Sequence, residues 1–214
     1  MPAHAAPLLL GVAPEEARVH CIFIHGRTQS PEDMQAEVIS KLNAPHVAYV
    51  LPRACGNSWY SARATEALTN ETRRQLKESV DHIRGLVEGL AHGTADPKPL
   101  VIGGFSQGAC LALEYAMWHG PWRGAMVNLT GCRVGTATCD RPFADLDGMQ
   151  VYLTGSDKDP WIPAEATANA VEALSRARAR LRCDVLPDRS HEVSDHEIAV
   201  FNSTLCGIAQ GCWW

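Results

Sequence analysis

Short apolar runs that alternate with longer amphipathic stretches are the feature that most restricts the fold of this 214-residue chain. Apart from His20, the segments Val19–Ile24, Val47–Leu51 and Leu100–Gly103 are continuous apolar runs that do not alternate between polar and apolar residues. Such runs are typical of strands that are buried on both faces of a parallel sheet. Further strands are predicted at Gly124–Leu129, Gln150–Thr154 and Leu181–Leu186. The pattern therefore predicts an α/β fold with a mostly parallel central sheet and helices on both faces.

The amphipathic stretches predict the helices that cover this sheet. In Asn70–Leu90 the apolar residues lie three and four positions apart, which places one apolar stripe along a helix. Pro31–Leu42 begins with proline at the first helical position, after Ser30 as N-cap. The remaining predicted helices are Gln107–His119, Pro163–Arg180 and Ser194–Leu205. Because no linker or repeat divides the chain, we expect one domain over residues 1–214, with residues 1–17 as an amino-terminal arm.

Composition argues against several classes of function. The net charge is -5 and no basic run occurs, so a nucleic-acid-binding surface is not expected. No apolar run is long enough to span a membrane, and the amino terminus lacks the basic start of a secretory signal, so we expect a cytoplasmic protein. The eight cysteines include no CxxC pair, which indicates free thiols and no structural zinc. If any two cysteines form a disulfide bond, Cys206 and Cys212 are the pair best suited to it.

The sequence Gly104-Phe105-Ser106-Gln107-Gly108 fits the pattern G-x-S-x-G. A strand-like LVIG precedes it, and a helix-like ACLALEYAMW follows it. This strand–turn–helix setting is typical of the nucleophile elbow of α/β-hydrolases, in which the glycines permit a sharp turn and the serine hydroxyl is exposed above the sheet. Ser106 is therefore the predicted nucleophile.

A serine nucleophile needs a histidine base and a carboxylate that orients the histidine, and in α/β-hydrolases the order along the chain is serine, acid, histidine. Asp157 and Asp159 both follow the fifth predicted strand, and the residues alone leave the choice between them open. His191 lies just after the sixth predicted strand and is the predicted base. His196, in the last predicted helix, is the second candidate, whereas His119 precedes both acids and is disfavoured.

The loop after the first predicted strand, His25-Gly26-Arg27, is suited to complete an oxyanion hole. Its glycine permits a close approach of the backbone to a substrate, so the N–H of Arg27 is predicted to act together with the N–H of Gln107. The alternative is an ordinary turn at the end of a strand.

Taken together, these segments resemble the phospholipase/carboxylesterase family of α/β-hydrolases, which includes bacterial carboxylesterases and acyl-protein thioesterases. The matching segments, in order, are IFIHGRTQSPEDM, GNSWY, IGGFSQGACLALEYA, LTGSDKDPWIP and SHEVSDHEI. The resemblance implies an α/β-hydrolase fold without a large lid domain, a triad of Ser106, Asp159 and His191, and oxyanion donors at Arg27 and Gln107. It also implies a monomer or a loose homodimer.

Two positions depart from the family pattern. Ser190 stands where family members usually have glycine before the histidine, and Thr28 stands where many have glycine after His-Gly-x. Because serine and threonine accept fewer backbone conformations than glycine, both changes reduce the range of conformations available to the chain near the site.

Three aromatic residues are candidates for a substrate wall. Trp59 and Tyr60 lie in the loop after the second predicted strand, and Trp161 follows the loop that contains Asp157 and Asp159. Aromatic side chains commonly line such walls. The alternative for all three is packing of the loops against the protein.

These observations predict a serine carboxylesterase that hydrolyses small or medium-chain esters, with thioesters or lysophospholipids as related substrates, through an acyl-enzyme. This mechanism requires no metal and no organic cofactor. One alternative is a binding protein that has the fold without the chemistry. A second is a lactone hydrolase related to dienelactone hydrolases, which typically carry cysteine rather than serine at the elbow.

Overall fold

Seven strands form one sheet at the centre of the computed structural model, which describes residues 5–92 and 96–212. In chain order they are β1 (Ala5–Gly11), β2 (Val19–Ile24), β3 (Val47–Arg53), β4 (Leu100–Phe105), β5 (Gly124–Leu129), β6 (Gln150–Ser156) and β7 (Arg180–Leu186). Their order across the sheet is β1-β3-β2-β4-β5-β6-β7, and every neighbouring pair is parallel except β1 with β3. The mostly parallel sheet is therefore confirmed.

Helices cover both faces of the sheet, as predicted. Those of the described residues are α1 (Pro31–Glu37), α2 (Asn70–Ala91), α3 (Gln107–His119), α4 (Ala164–Arg176) and α5 (Asp195–Ala209). The first apolar core lies between the sheet and α2, α3 and α4, and the second lies between the sheet and α1 and α5. Within the described ranges, the connections between these elements add no large lid domain, and no helix is long and apolar enough to cross a membrane.

The amino-terminal segment is a strand where the sequence analysis expected an arm. Ala5–Gly11 pairs antiparallel with β3 at one edge of the sheet. Leu8 and Leu10 pack against the second core, while Leu9 between them is 62% exposed, which is the alternation of a half-buried edge strand. This strand forms because it pairs with β3, which is distant in the sequence. The seven residues of the strand alone do not indicate that pairing. The first four residues of the expected arm lie outside the described residues.

Two predicted helices are shorter than expected. The first ends at Glu37 and continues only as a 3₁₀ turn over Ile39–Lys41. The fourth ends at Arg176 because Arg178 adopts a left-handed φ of 60°, and because β7 begins at Arg180, where it pairs with β6.

All eight cysteines are free thiols, as predicted. The expected exception is not realised, since Cys206 and Cys212 are not bonded to each other. The Sγ of Cys206 instead lies 3.6 Å from the carbonyl oxygen of Asn43.

Helix α3 packs unusually close to the end of β2, and two glycines permit this contact. A Cβ at Gly108 would lie 2.1 Å from the carbonyl oxygen of Ile24, and a Cβ at Gly104 would lie 2.7 Å from the same oxygen. Because these neighbours are backbone atoms, no side-chain rotation can relieve the overlap. The glycines of the G-x-S-x-G pattern are therefore required by packing.

We predict that Gly108→Ala lowers the free energy of unfolding by about 3 kcal/mol or more, because the added methyl group forces α3 away from β2. Gly89→Ala in α2 is the matched control: a Cβ there meets no atom within 4 Å, and alanine favours a helix by about 1 kcal/mol. Urea unfolding monitored by circular dichroism measures both changes. Equal stability of the two variants would contradict the packing argument.

Candidate active site

Ser106 occupies the sharp turn between β4 and α3, with φ of 54° and ψ of -119°. This is a sparsely populated conformation for a residue with a side chain, so the turn is strained. Hydrogen bonds on both sides hold it in place: the Ser106 N–H donates to Leu129 (3.0 Å), and the Ser106 carbonyl accepts from the N–H of Cys110 (2.9 Å). The half-buried side chain therefore stands at the carboxyl edge of the sheet, at the start of a helix.

Three side chains that the sequence predicted separately lie in one hydrogen-bonded chain. The His191 Nε2 atom is 2.8 Å from the Ser106 hydroxyl, and its Nδ1 atom is 2.6 Å from the Asp159 carboxylate. The imidazole also packs against the Phe105 ring, with 5.0 Å between the ring centroids. With the Nδ1 proton donated to Asp159, Nε2 is free to accept the proton of Ser106.

The Asp159 carboxylate is fully buried and held on both oxygens. Its second oxygen accepts the backbone N–H groups of Trp161 and Ile162, each at 2.8 Å. Burial alone raises the pKa of Asp159, but the hydrogen bonds from His191, Ile162 and Trp161 outweigh burial and lower it below the ordinary 3.8. The resulting stabilisation is complete above that ordinary value and is lost as the pH falls through the lowered pKa.

The other candidate acid and bases lie away from Ser106. Asp157 is exposed, and its carboxylate accepts the N–H of Asp188 at 2.8 Å. His196 is exposed on α5 and pairs with Asp184 at 2.9 Å. The His119 ring packs against aromatic side chains at the end of α3.

The backbone N–H groups of Arg27 and Gln107 have no hydrogen-bond acceptor among the described residues. Both lie beside Ser106: Gln107 follows it, and a Cβ built on Gly26 would be 3.3 Å from the Ser106 Cβ. A pair of unpaired N–H groups next to a nucleophile can hold an oxyanion. The arrangement is compatible with the predicted oxyanion donors.

His25 fixes the backbone of this loop. Its Nε2 atom accepts the N–H of Ala54 at 3.1 Å, and its Nδ1 atom lies 2.7 Å from the carbonyl oxygen of Gly26. Burial lowers the pKa of His25, which favours a neutral ring with the proton on Nδ1, donated to Gly26. The buried ring thus ties β2 and β3 together beneath the loop.

Trp59 and Tyr60 do not form a substrate wall, because their side chains are only 0% and 2% exposed. The Trp59 indole N–H donates to the His25 carbonyl at 2.9 Å, and its ring lies against the His25 ring. The polar end of the indole is therefore satisfied inside the protein, which makes burial favourable. Trp59 therefore supports the backbone and ring of His25 from inside the protein.

The Gln107 side chain connects the elbow to the same loop. Its amide nitrogen donates to the Tyr60 carbonyl at 2.7 Å, and its amide oxygen accepts the N–H of Trp59 at 3.0 Å. The sequence analysis considered only the backbone of Gln107. The sequence indicates this contact in only one way: Gln107 is a long polar residue directly after Ser106, at a position where the turn requires close packing.

The loop that follows Trp59 and Tyr60 contacts two more parts of the site. The Arg27 guanidinium donates to the carbonyls of Ser61 (2.8 Å) and Ala62. The Arg63 guanidinium lies over the Trp161 ring, 5.9 Å from its centroid. Trp161 is 59% exposed, in contrast to the two buried aromatic residues. Residues 58–63 therefore link the turn at Ser106, the loop after β2 that contains Arg27, and the loop after β6 that contains Trp161.

The two departures from the family pattern differ in their consequences. Thr28 has a left-handed φ of 64°, a conformation that is strained for a β-branched residue. Its N–H donates to Asn57 (2.8 Å) and its hydroxyl to Arg27 (2.6 Å), and these bonds offset the strain. Ser190 is exposed and does not adopt a positive φ, so its backbone conformation does not require glycine.

The chain is similar to known proteins in sequence and in fold. The phospholipase/carboxylesterase family model matches residues 12–205. A phospholipase/carboxylesterase from Dyadobacter fermentans is similar in structure, with a TM-score of 0.83, 26% identity, and 96% of this chain and 98% of that chain covered. Acyl-protein thioesterase 2 of Zea mays shares the fold, with a TM-score of 0.74, 16% identity, and 94% and 99% of the two chains covered.

A curated relative extends the comparison to a longer protein. NocK of Nocardia uniformis subsp. tsuyamanensis, which is named as an esterase, is 26% identical over 183 residues, covering 76% of this chain and 52% of that protein. The chain thus spans about half the length of this relative. The family match, in contrast, extends over nearly the whole chain and includes every residue of the hydrogen-bonded group at Ser106. The chain therefore belongs to the phospholipase/carboxylesterase family of α/β-hydrolases.

Proposed function

We propose that this chain is a serine carboxylesterase for small or medium-chain carboxylic esters. The observation that carries the proposal is the chain of short contacts from the Ser106 hydroxyl through His191 to the buried Asp159 carboxylate. Membership of a family of esterase-type hydrolases supports the same reaction class. The serine at the elbow favours this chemistry over that of the lactone hydrolases with cysteine, and the complete set of three groups disfavours a binding protein.

In the first half-reaction, the Ser106 oxygen attacks the carbonyl carbon of the ester while His191 Nε2 takes the hydroxyl proton. The carbonyl oxygen becomes an oxyanion and is stabilised by the N–H groups of Arg27 and Gln107. When the tetrahedral intermediate collapses, the bond to the alcohol oxygen breaks and His191 returns its proton to that oxygen. An alcohol leaves and an acyl group stays on Ser106.

In the second half-reaction, water replaces the alcohol. His191 takes a proton from the water, the resulting hydroxide attacks the acyl carbon, and the same two N–H groups hold the second oxyanion. The proton then passes from His191 to the Ser106 oxygen, which releases the carboxylic acid. Asp159 stays ionised throughout, since its pKa is lowered, and it stabilises the imidazolium that forms in each half-reaction.

The Asp159→Asn variant tests the role of the acid. The amide oxygen can still accept the N–H groups of Trp161 and Ile162, so the amide nitrogen faces His191 and forces its proton onto Nε2. In that tautomer the imidazole cannot accept a proton from Ser106, and kcat for p-nitrophenyl acetate is expected to fall about 10⁴-fold.

Asp157→Asn is the matched control, because it removes the same charge two residues away from an exposed carboxylate that does not contact His191. We expect its kcat to stay within about twofold of the wild type, since exposed charges contribute little. The assignment of the acid is wrong if the control variant loses activity and Asp159→Asn retains it.

We also place Trp161 at the wall of the substrate site. Its side chain is exposed, and its backbone N–H is bound to the catalytic acid proposed above, so the residue lies next to that acid. Arg63 limits the freedom of the ring by stacking on it.

The free thiols of the chain favour a reducing compartment, the cytoplasm, as the place where the enzyme works.

Trp161→Ala is expected to raise the KM for p-nitrophenyl butyrate about fivefold and to change kcat less than about twofold, because apolar contact with the substrate is lost while the reacting groups keep their positions. Leu9→Ala is the control, as this residue is equally exposed but lies on the edge strand β1. Steady-state kinetics of both variants are the measurement. An unchanged KM for Trp161→Ala would remove Trp161 from the substrate site.

A further inference from the structure

A buried arginine supports the loop that carries His191. Arg189 is 7% exposed and lies two residues before His191, between β7 and α5. A single nitrogen of its guanidinium, Nη1, donates to the carbonyl of Ser190 at 3.0 Å and also to the carbonyl of Glu192. These are the two residues on either side of His191. The guanidinium therefore holds the backbone on both sides of His191.

The local backbone around His191 is tightly turned. The N–H of Glu192 donates to the carbonyl of Ser190 at 2.9 Å, so the chain reverses over three residues with His191 at the centre. The same Ser190 carbonyl also accepts the Arg189 guanidinium. A short exposed turn of this kind has little apolar burial of its own, and its order depends on these polar contacts.

Arg189 connects this turn to the sheet. Its Nη2 atom donates to the hydroxyl of Thr130, just after β5, at 2.6 Å. Its own carbonyl accepts the hydroxyl of Ser156, the last residue of β6, at 2.6 Å. The position of the His191 turn is thus fixed relative to the ends of the two strands that lie between β4 and β7.

A buried carboxylate balances the charge of Arg189. Glu197 of α5 is 0% exposed, and its Oε2 atom lies 3.7 Å from the Arg189 Nε atom. The same carboxylate accepts the N–H and the hydroxyl of Ser194, each at 2.7 Å, and the hydroxyl of Thr154 at 2.5 Å. Burial of one charge without the other is strongly unfavourable, so the two groups form one unit.

We infer that Arg189 is a positioning residue for His191: its planar guanidinium sets the distance from His191 Nε2 to the Ser106 hydroxyl. The inference rests on the proposed function, in which that distance determines proton transfer. A displacement of about 1 Å between reacting groups can reduce a rate about 100-fold. Glu197 contributes indirectly, because its buried negative charge compensates the charge of the guanidinium.

Arg189→Lys is the test, because lysine keeps the positive charge opposite Glu197 but cannot bind two carbonyls and the Thr130 hydroxyl in one plane. We expect kcat for p-nitrophenyl acetate to fall about 10-fold to 100-fold with KM unchanged within about twofold. The proton NMR resonance of the His191 Nδ1–H group is expected to shift. Arg178→Lys is the matched control, an exposed arginine paired with Asp145 and Asp147.

A purely structural role predicts a different result. In that case, kcat per folded molecule and the His191 resonance of the folded protein stay as in the wild type, even if urea unfolding shows lower stability, and the inference is overturned. If Arg189→Lys does not fold, the double variant Arg189→Gln with Glu197→Gln removes both buried charges together, and the same two readouts decide.

The proposed function can fail separately. Wild-type protein that hydrolyses neither p-nitrophenyl acetate nor p-nitrophenyl butyrate would contradict the esterase proposal. The position of His191 would then still be tested by the Nδ1–H resonance of Arg189→Lys against Arg178→Lys. A shift supports the positioning role, and an unchanged resonance overturns it.

Discussion

The close contact between the backbone of α3 and the end of β2 is the constraint on which the rest of the site depends. Gly104 and Gly108 allow α3 to approach the carbonyl oxygen of Ile24, and between these two glycines the chain turns sharply at Ser106. The loop after β2 lies next to this turn, since a Cβ built on Gly26 would be 3.3 Å from the Ser106 Cβ. Close packing between two backbones thus places the strained serine beside the loop of the proposed anion site.

Parallel strands place the ends of all these elements at one edge of the sheet. Asp159 follows β6 and His191 follows β7, so both reach the end of β4 although they are far away in the sequence. The loops are held by buried polar groups rather than by apolar packing alone. His25, whose pKa is lowered by burial, supports the loop after β2, and Arg189, paired with Glu197, supports the loop that carries His191. The hydrogen bonds within such buried networks favour one geometry of the loops.

Local sequence signals predicted the sheet, the helices and the positions of Ser106 and His191, because apolar runs, a glycine-flanked turn and chain order are visible without any partner. The choice of Asp159 over Asp157 came from the family resemblance, since both follow the same strand. Strand β1 was missed, and the burial of Trp59 was left as one of two alternatives, because each depends on contacts with distant segments. Arg189 was missed for the same reason: its partners, among them Thr130, lie elsewhere in the chain.

The reaction of the intact protein with a fluorophosphonate probe tests the central claim most directly, because only an activated serine beside an oxyanion site reacts with it. Mass spectrometry of the whole chain and of its peptides is the measurement. The account predicts the addition of a single phosphonyl group on the peptide that contains Ser106, and no addition to the Ser106→Ala variant. An unmodified wild-type chain, or modification at another residue with Ser106 untouched, would contradict it.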